Sequence, residues 1–243
     1  MKGRQRGTRG PMGDFGDAVR LAFALVLGGD ATLYAIIALS LWVSAVAVAI
    51  AIVIGLPVGA ALAIYPFPGR RGIVILVNSL LGLPPVLVGL AGYLLLSRAG
   101  PLGRFGLLYT PGAMVLVQAV LTTPIVIAIV HRAAQEQWAR HGDAFQVAGA
   151  TGLQIIPHLL LIARRQVLTA VLAALGRAIS EVGAIVIVGG NIAGVTRTMT
   201  TTIMLETSKG NLPLALALGL VLIMISIALN GVAFALADRK EAK

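Results

Sequence analysis

LAALGRAISEVGAIVIVGGN, residues 172–191, is an apolar run that carries two charges, Arg177 and Glu181, close to its middle. A soluble core and a bilayer both accept such a run, and the charges are costly in either. Composition decides between them. Of 243 residues, 58% are hydrophobic and 12% charged, with a mean hydropathy of +0.95; soluble domains are about half apolar and about a quarter charged. The chain is therefore an integral membrane protein. The run belongs to the fourth of five apolar stretches, at 35–64, 73–97, 111–131, 167–190 and 212–236. Each approaches or exceeds the roughly 20 residues of helix that cross a hydrocarbon core. Only helices and closed barrels satisfy the backbone in lipid, and the alternating pattern of a barrel strand does not occur. The expected fold is all-α, with one unit over 31–243 and no second domain.

Basic residues orient the chain. Arg70 and Arg71 follow the first stretch, Arg132, Arg140, Arg164 and Arg165 lie between the third and fourth, and Arg239, Lys240 and Lys243 follow the fifth. The positive-inside rule puts these regions, and with them the C-terminus, in the cytoplasm. The loop 132–165 is then the largest cytoplasmic segment. The opposite loops carry a thinner set: Arg98 and Arg104, then Arg197 and Lys209. Five spans leave the N-terminus outside, although MKGRQRGTRG at 1–10 is strongly basic. The stretch 15–29 is apolar for only about half a span, so residues 1–30 read as a basic leader with an interfacial helix; a sixth, short or tilted span is the alternative. No small-x-small cleavage site follows, so it is not read as a signal peptide. The net charge of +10 fits basic loops beside anionic lipid and not a nucleic-acid partner. The lack of cysteine excludes disulfides and thiolate metal sites.

Proline and glycine mark the turns and the breaks. YPFPGRRG at 65–72 and SRAGPLGRFGLLYTPG at 97–112 are turns, on opposite sides of the membrane. GLPVGAALA at 55–63 and GLPPVLVGLAG at 82–92 place both residue types inside spans, where close helix approach or local unwinding is tolerated. Pro84 and Pro85 cannot both sit in an undisturbed helix, so the second span is kinked or broken near its middle.

In GDAFQVAGATGLQIIPHLLLIARR, 142–165, Asp143, Gln146, Gly149 and Gly152 interrupt the apolar residues. Ala144, Val147, Ala148 and Thr151 then share one face of a short helix, which docks on a partner or lies on the lipid surface. The segment resembles the ATPase-docking loop of ABC importer permeases, which carries Glu-Ala-Ala, three residues, Gly, and later Ile-x-Leu-Pro. Asp143 stands for the Glu, Ala144 matches, Phe145 replaces the second Ala and Gly149 matches. Leu161 matches the later Leu, while Leu159 replaces Ile and Ile162 replaces Pro. The stretches GLPPVLVGLAGYLLLSRAGPLG, GRAISEVGAIVIVGGNI, TRTMTTTIMLET and LALALGL look like tungstate-type permeases, relatives of those for molybdate and sulfate. The resemblance runs from about 33 to 234.

The resemblance implies a type I ABC importer permease bundle in a prokaryotic cytoplasmic membrane. It implies two copies of the chain, two cytoplasmic ATPase subunits coupled through Asp143, Ala144, Phe145, Gly149 and Leu161, and an extracytoplasmic anion-binding protein. No cofactor is expected. The residues agree: there is no G-x-x-x-x-G-K-[ST] loop, and SKG at 208–210 lacks the upstream glycine and strand, so the chain is no ATPase itself. A stand-alone secondary transporter would show an internal repeat, and none is visible. A membrane scaffold without a transport path is the third reading.

Arg177 and Glu181 lie one helical turn apart and can pair. Each charge costs roughly 2.5–3.5 kcal/mol at mid-membrane. Arg177 lies about 18 Å beyond the basic edge at Arg165, too far to snorkel. The pair therefore faces the bundle interior, a subunit interface or a water-filled path. Two roles stay open: a structural or gating pair, or contact with the passing ion, against which Glu181 would act by repulsion. Asn191, Thr196, Arg197, Thr198, Thr200, Thr201, Thr202 and Glu206 form a polar outer stretch whose hydroxyls and amides suit an oxyanion. TMTTTIMLE at 198–206 is either a short helix dipping toward the path or a solvated loop. His131, His141 and His158 are too far apart for a metal site.

Overall fold

The computed structural model describes residues 31–239 throughout, with isolated positions before them (16, 19, 20, 23, 24, 27 and 28), and for 232–239 the backbone alone. The basic leader and much of the interfacial helix expected at 15–29 lie outside the described residues.

Two long helices form the centre. α1 (Ala31–Ile64) and α4 (Pro111–Val147) have 34 and 37 residues, about 51 and 56 Å at 1.5 Å per residue. Both exceed a hydrocarbon core of about 30 Å. They pack closely because small residues meet at their contact: Ala51 of α1 and Val126 and Val130 of α4 join Ala170, Ala174 and Ala178 in one buried cluster. Lipid tails are as apolar as the side chains, so such contacts rest on close fit. Gly59 is needed there: a Cβ on it would sit 2.9 Å from the Ile127 carbonyl oxygen and 3.0 Å from Val130 Cβ.

After α1 the chain turns at Gly69, with φ at +87°. Arg70 folds back to donate from Nε to the Leu62 carbonyl at 2.6 Å and from Nη2 to that of Ala63 at 3.4 Å, closing the open end of α1. The second stretch is two helices, α2 (Arg70–Leu80) and α3 (Pro85–Leu96), bent by 102°. The expected break is thus a full bend, and neither piece alone reaches about 20 residues. Pro84 is extended, with ψ at 120°, and Pro85 opens α3, where its missing N–H costs nothing.

α4 starts with Thr110 as its cap and Pro111 in its first turn, and it does not stop at 131. It continues without a break to Val147, so the first half of the expected 132–165 loop is helix. The short helix expected over 144–151 is also replaced. Ala144 and Val147 end α4, Gly149 turns the chain at φ +66°, and Thr151 precedes α5 (Gly152–Ile162) with its N–H held by Gln154 Oε1 at 2.9 Å.

α6 (Arg164–Ile179) follows α5 at a bend of 78°. The fourth span, expected to run unbroken over 167–190, stops at Ile179 and resumes as α7 (Gly183–Gly189). The residues after it include a helix, α8 (Met199–Ser208), and not a solvated loop: Met199, Thr200, Thr201, Thr202 and Glu206 are buried. α9 (Leu212–Arg239) packs on α8 through Met199, Ala217 and Val221, with Ile36 and Ile37 of α1 alongside. Among the described residues, three helices are long and apolar enough to cross a membrane, and the bent pairs raise the number to five.

Replacing Gly59 by Leu should push α1 off the α4 backbone. The expected loss is about 1–3 kcal/mol, read as a lower melting temperature in detergent. Gly72→Ala, whose Cβ meets nothing within 4 Å, should leave it unchanged.

Candidate functional site

The break between α6 and α7 leaves backbone groups that the helix ends cannot satisfy, and polar side chains meet them. Glu181, 3% exposed, sits in the break. Its Oε2 lies 2.8 Å from Arg177 Nη1 in the last turn of α6, and its Oε1 accepts from the Ala184 N–H of α7 at 3.1 Å. Its backbone carbonyl accepts from the Thr200 hydroxyl of α8 at 2.8 Å. From α4, Gln118 Nε2 donates to the Ala178 carbonyl at 2.9 Å. The pair is formed as the spacing requires, but across a break and not inside a helix.

Thr200 leads outward. Its hydroxyl is 3.2 Å from that of Thr198, which is 3.2 Å from that of Thr201. Thr201 donates to Asn191 Oδ1 at 2.9 Å, and Arg197 Nε donates to the same oxygen at 3.3 Å. Arg177, Glu181, Asn191, Thr200 and Thr201 therefore belong to one continuous polar chain that ends on Arg197. Thr196 is buried and donates to the Gly189 carbonyl, while Thr202 donates to that of Thr198 at 2.6 Å. These hydroxyls are bonded within the protein. At the end of α8, Glu206 accepts from Lys209 Nζ at 2.8 Å and Asn211 Nδ2 at 2.9 Å. Those bonds hold its carboxyl below the usual carboxylate range.

The segment expected to dock on an ATPase lies elsewhere, at the turn after α4. Asp143 and Ala144 are exposed, and Gly149 makes the left-handed turn. Phe145 stacks on Trp138 at 6.5 Å between centroids and meets His158 edge-on at 6.3 Å, which fastens the turn to α4 and α5. Val147 and Leu153 flank the turn at 90% and 84% exposure. Leu161 is exposed as well, but at the far end of α5, about 12 Å along the axis from Leu153. The structure does not bring it to the turn.

The sequence reading passed over Ser40 and Gln118. Ser40 Oγ accepts from the Met199 N–H at 2.9 Å and so positions the start of α8 against α1. Gln118 holds α6 to α4, and its Oε1 is buried without a partner. Their signal was polarity inside an apolar run. No group of three or more His, Cys, Asp or Glu residues among the described ones is placed to hold a metal.

No protein-family model matches the chain. It is 41% identical over 212 residues to a protein of Haloferax volcanii named probable anion ABC transporter permease protein, covering 85% of this chain and 91% of that one. It is 40% identical over 222 residues to the tungstate uptake system permease protein TupB of Peptoclostridium acidaminophilum, covering 91% and 97%. Against the protein of the same name from Campylobacter jejuni the identity is 37% over 194 residues, covering 80% and 81%.

Removing one member of the charged pair should be worse than removing both. Arg177→Gln strands a buried carboxylate and should cost about 3 kcal/mol, with Glu181→Gln costing less because the Arg177 side chain is 34% exposed. The double variant should recover part of the loss in detergent melting. A coupling energy below about 0.5 kcal/mol would show that the two side chains act independently.

Proposed function

The chain belongs to the ABC transporter permeases, and from that premise we propose that it is the membrane subunit of an importer that carries a tetrahedral oxyanion, tungstate foremost, into a prokaryotic cytoplasm. The observation that carries this reading is the similarity to a tungstate uptake permease across nearly the full length of both chains. Molybdate and sulfate are the alternative ions of the group that the sequence resembles.

In this reading two copies of the chain bind two ATPase subunits that hydrolyse ATP. The C-terminus and the turn after α4 lie in the cytoplasm, and a binding protein delivers the anion from outside. The exposed Val147 and Leu153 beside Asp143, Ala144 and Gly149 form the contact for the ATPase. Phe145 passes the motion to α4 through Trp138. α4 is continuous from this turn to Gln118, about 43 Å away, and Gln118 grips the end of α6 beside the break. A push at the turn thus reaches the Arg177–Glu181 pair through one rigid element.

The polar chain from Arg177 to Arg197 acts as a gate and not as a standing anion trap. Its charged pair is neutral overall, and its hydroxyls already have acceptors. When α7 and α8 separate, the Thr200 and Thr201 hydroxyls, Asn191 and Arg197 become donors to a passing oxyanion.

Reconstitution with the ATPase and binding protein encoded beside it should give ATP-dependent tungstate uptake, measured by mass spectrometry. Sulfate competing as well as tungstate would overturn the choice of ion. Val147→Asp should weaken ATPase binding at least about tenfold and abolish uptake without changing the melting temperature, because that side chain is exposed. Normal uptake in this variant would remove the turn from the coupling path.

A further inference from the structure

Where α4 leaves its apolar stretch, it and α2 enclose an open cavity of about 590 Å³, lined by Val74, Ile75, Asn78, Ser79, His131, Arg132 and Gln135. We propose that this cavity is a second oxyanion site, distinct from the gate, for a tetrahedral, doubly or singly charged group. Two sources supply that chemistry: the transported anion on its way out, or the phosphate of an anionic lipid headgroup.

The lining is cationic and rich in donors, and no carboxylate among the described residues contributes to it. Arg132 has five N–H donors in a planar fork, and one contact, Nη2 to Asn78 Oδ1 at 3.2 Å, ties it to α2. That contact aims the guanidinium along the cavity wall. The acid placed to neutralise it, Glu136 one turn on, is paired with Arg140 instead. Gln135 adds an amide that makes no hydrogen bond among the described residues, and the Ser79 hydroxyl, now on the Ile75 carbonyl at 2.9 Å, can rotate to donate. His131 is 7% exposed, and its Nε2 is buried without a partner. That nitrogen has no accessible surface of its own, so a ligand in the cavity meets it only when the ring turns outward.

Position favours an anion. The apolar part of α4 ends at 131, so Arg132 stands at the boundary where the bilayer gives way to water. This is also the end of α4 nearer the proposed ATPase contact, the side toward which an imported ion leaves. The site rests on the importer reading only for the first of its two sources.

The test uses the purified, delipidated permease–ATPase complex and two probes. Sodium tungstate binding is measured by equilibrium dialysis without the binding protein, and phosphatidylglycerol retention by mass spectrometry after exposure to mixed phosphatidylglycerol and phosphatidylcholine micelles. Arg132→Gln should lower binding of one probe at least about tenfold, with Arg132→Lys in between because it keeps the charge and loses the fork. Loss of tungstate assigns the site to the leaving ion, and loss of phosphatidylglycerol assigns it to lipid. If neither probe responds in variants that melt as the parent does, the site is not an anion site. Should Arg132→Gln itself fold poorly, the exposed Gln135→Glu, which places a negative charge in the cavity, must show the same loss. Tungstate uptake by the parent complex is measured alongside. Its absence with an intact Arg132 response sinks the importer reading and leaves this one standing.

Discussion

The constraint on which the structure depends is that backbone N–H and C=O groups in a bilayer must find partners inside the protein. An unbroken span meets it automatically. This chain breaks two of its five apolar stretches, and each break must be satisfied in its own way. At 81–84 the bonds are local: Leu81, Gly82 and Leu83 donate to the Asn78, Ser79 and Leu80 carbonyls, and Pro84 and Pro85 have no N–H to satisfy. At 180–182 no proline helps, so Glu181, Gln118, Ser180 and Thr200 supply the partners. Arg177 then lies 2.8 Å from the buried Glu181 carboxylate and supplies the second partner that its burial requires. The charged pair is thus a consequence of the break.

One helix links the break to the rest of the bundle. α4 ties the turn after it, the cavity beside Arg132 and the broken span to one continuous helix, with Phe145, Arg132 and Gln118 at successive heights along it. α1 packs beside it through small residues that prevent independent bending. The long interior helix is rigid because its neighbours are close, whereas the short helices α2, α3, α7 and α8 are each too short to span the bilayer: α3 and α7 pack on one another through Gly89 and Ala184, and α8 is held by polar bonds from Ser40 and Thr200. That division of stiff and breakable parts is what an alternating-access bundle requires.

That the chain is helical and built of long apolar stretches was legible because hydropathy marks them directly, whether they face lipid, as much of α1 does, or neighbouring helices, as α4 does. The bend at Pro84 and Pro85 was legible because proline acts locally. The break at 180–182 was not, since Ser180, Glu181 and Val182 are ordinary helix residues; what stops the helix is bonding from Gln118 and Thr200, 60 and 19 residues from their partners. The extension of α4 past 131 was hidden by a change in polarity. Ala133, Ala134, Gln135, Glu136 and Gln137 are good helix formers, and a polar face marked where the bilayer ended, not where the helix did. The polar chain from Arg177 to Arg197 was legible as a set of residues and not as a connected network, because connection is a property of α7 and α8 packing together.

Phe145 shows how a departure from a family pattern can be read once the neighbours are known. A small residue at that position would leave the turn held by backbone bonds alone, from Ala148 to Ala144, Gly149 to Gln146 and Ala150 to Phe145. The aromatic ring adds a stack on Trp138 and an edge contact to His158, and Phe145 and Trp138 both pack on the buried Ile64, Ile155 and Leu159. Tyr65, just past α1, lies so near Gly152 that a side chain there would have to displace its exposed ring. The substitution therefore trades a compact turn for one anchored in a core of its own. An aromatic anchor resists opening better than a bare glycine turn, whose only resistance is a few exposed hydrogen bonds.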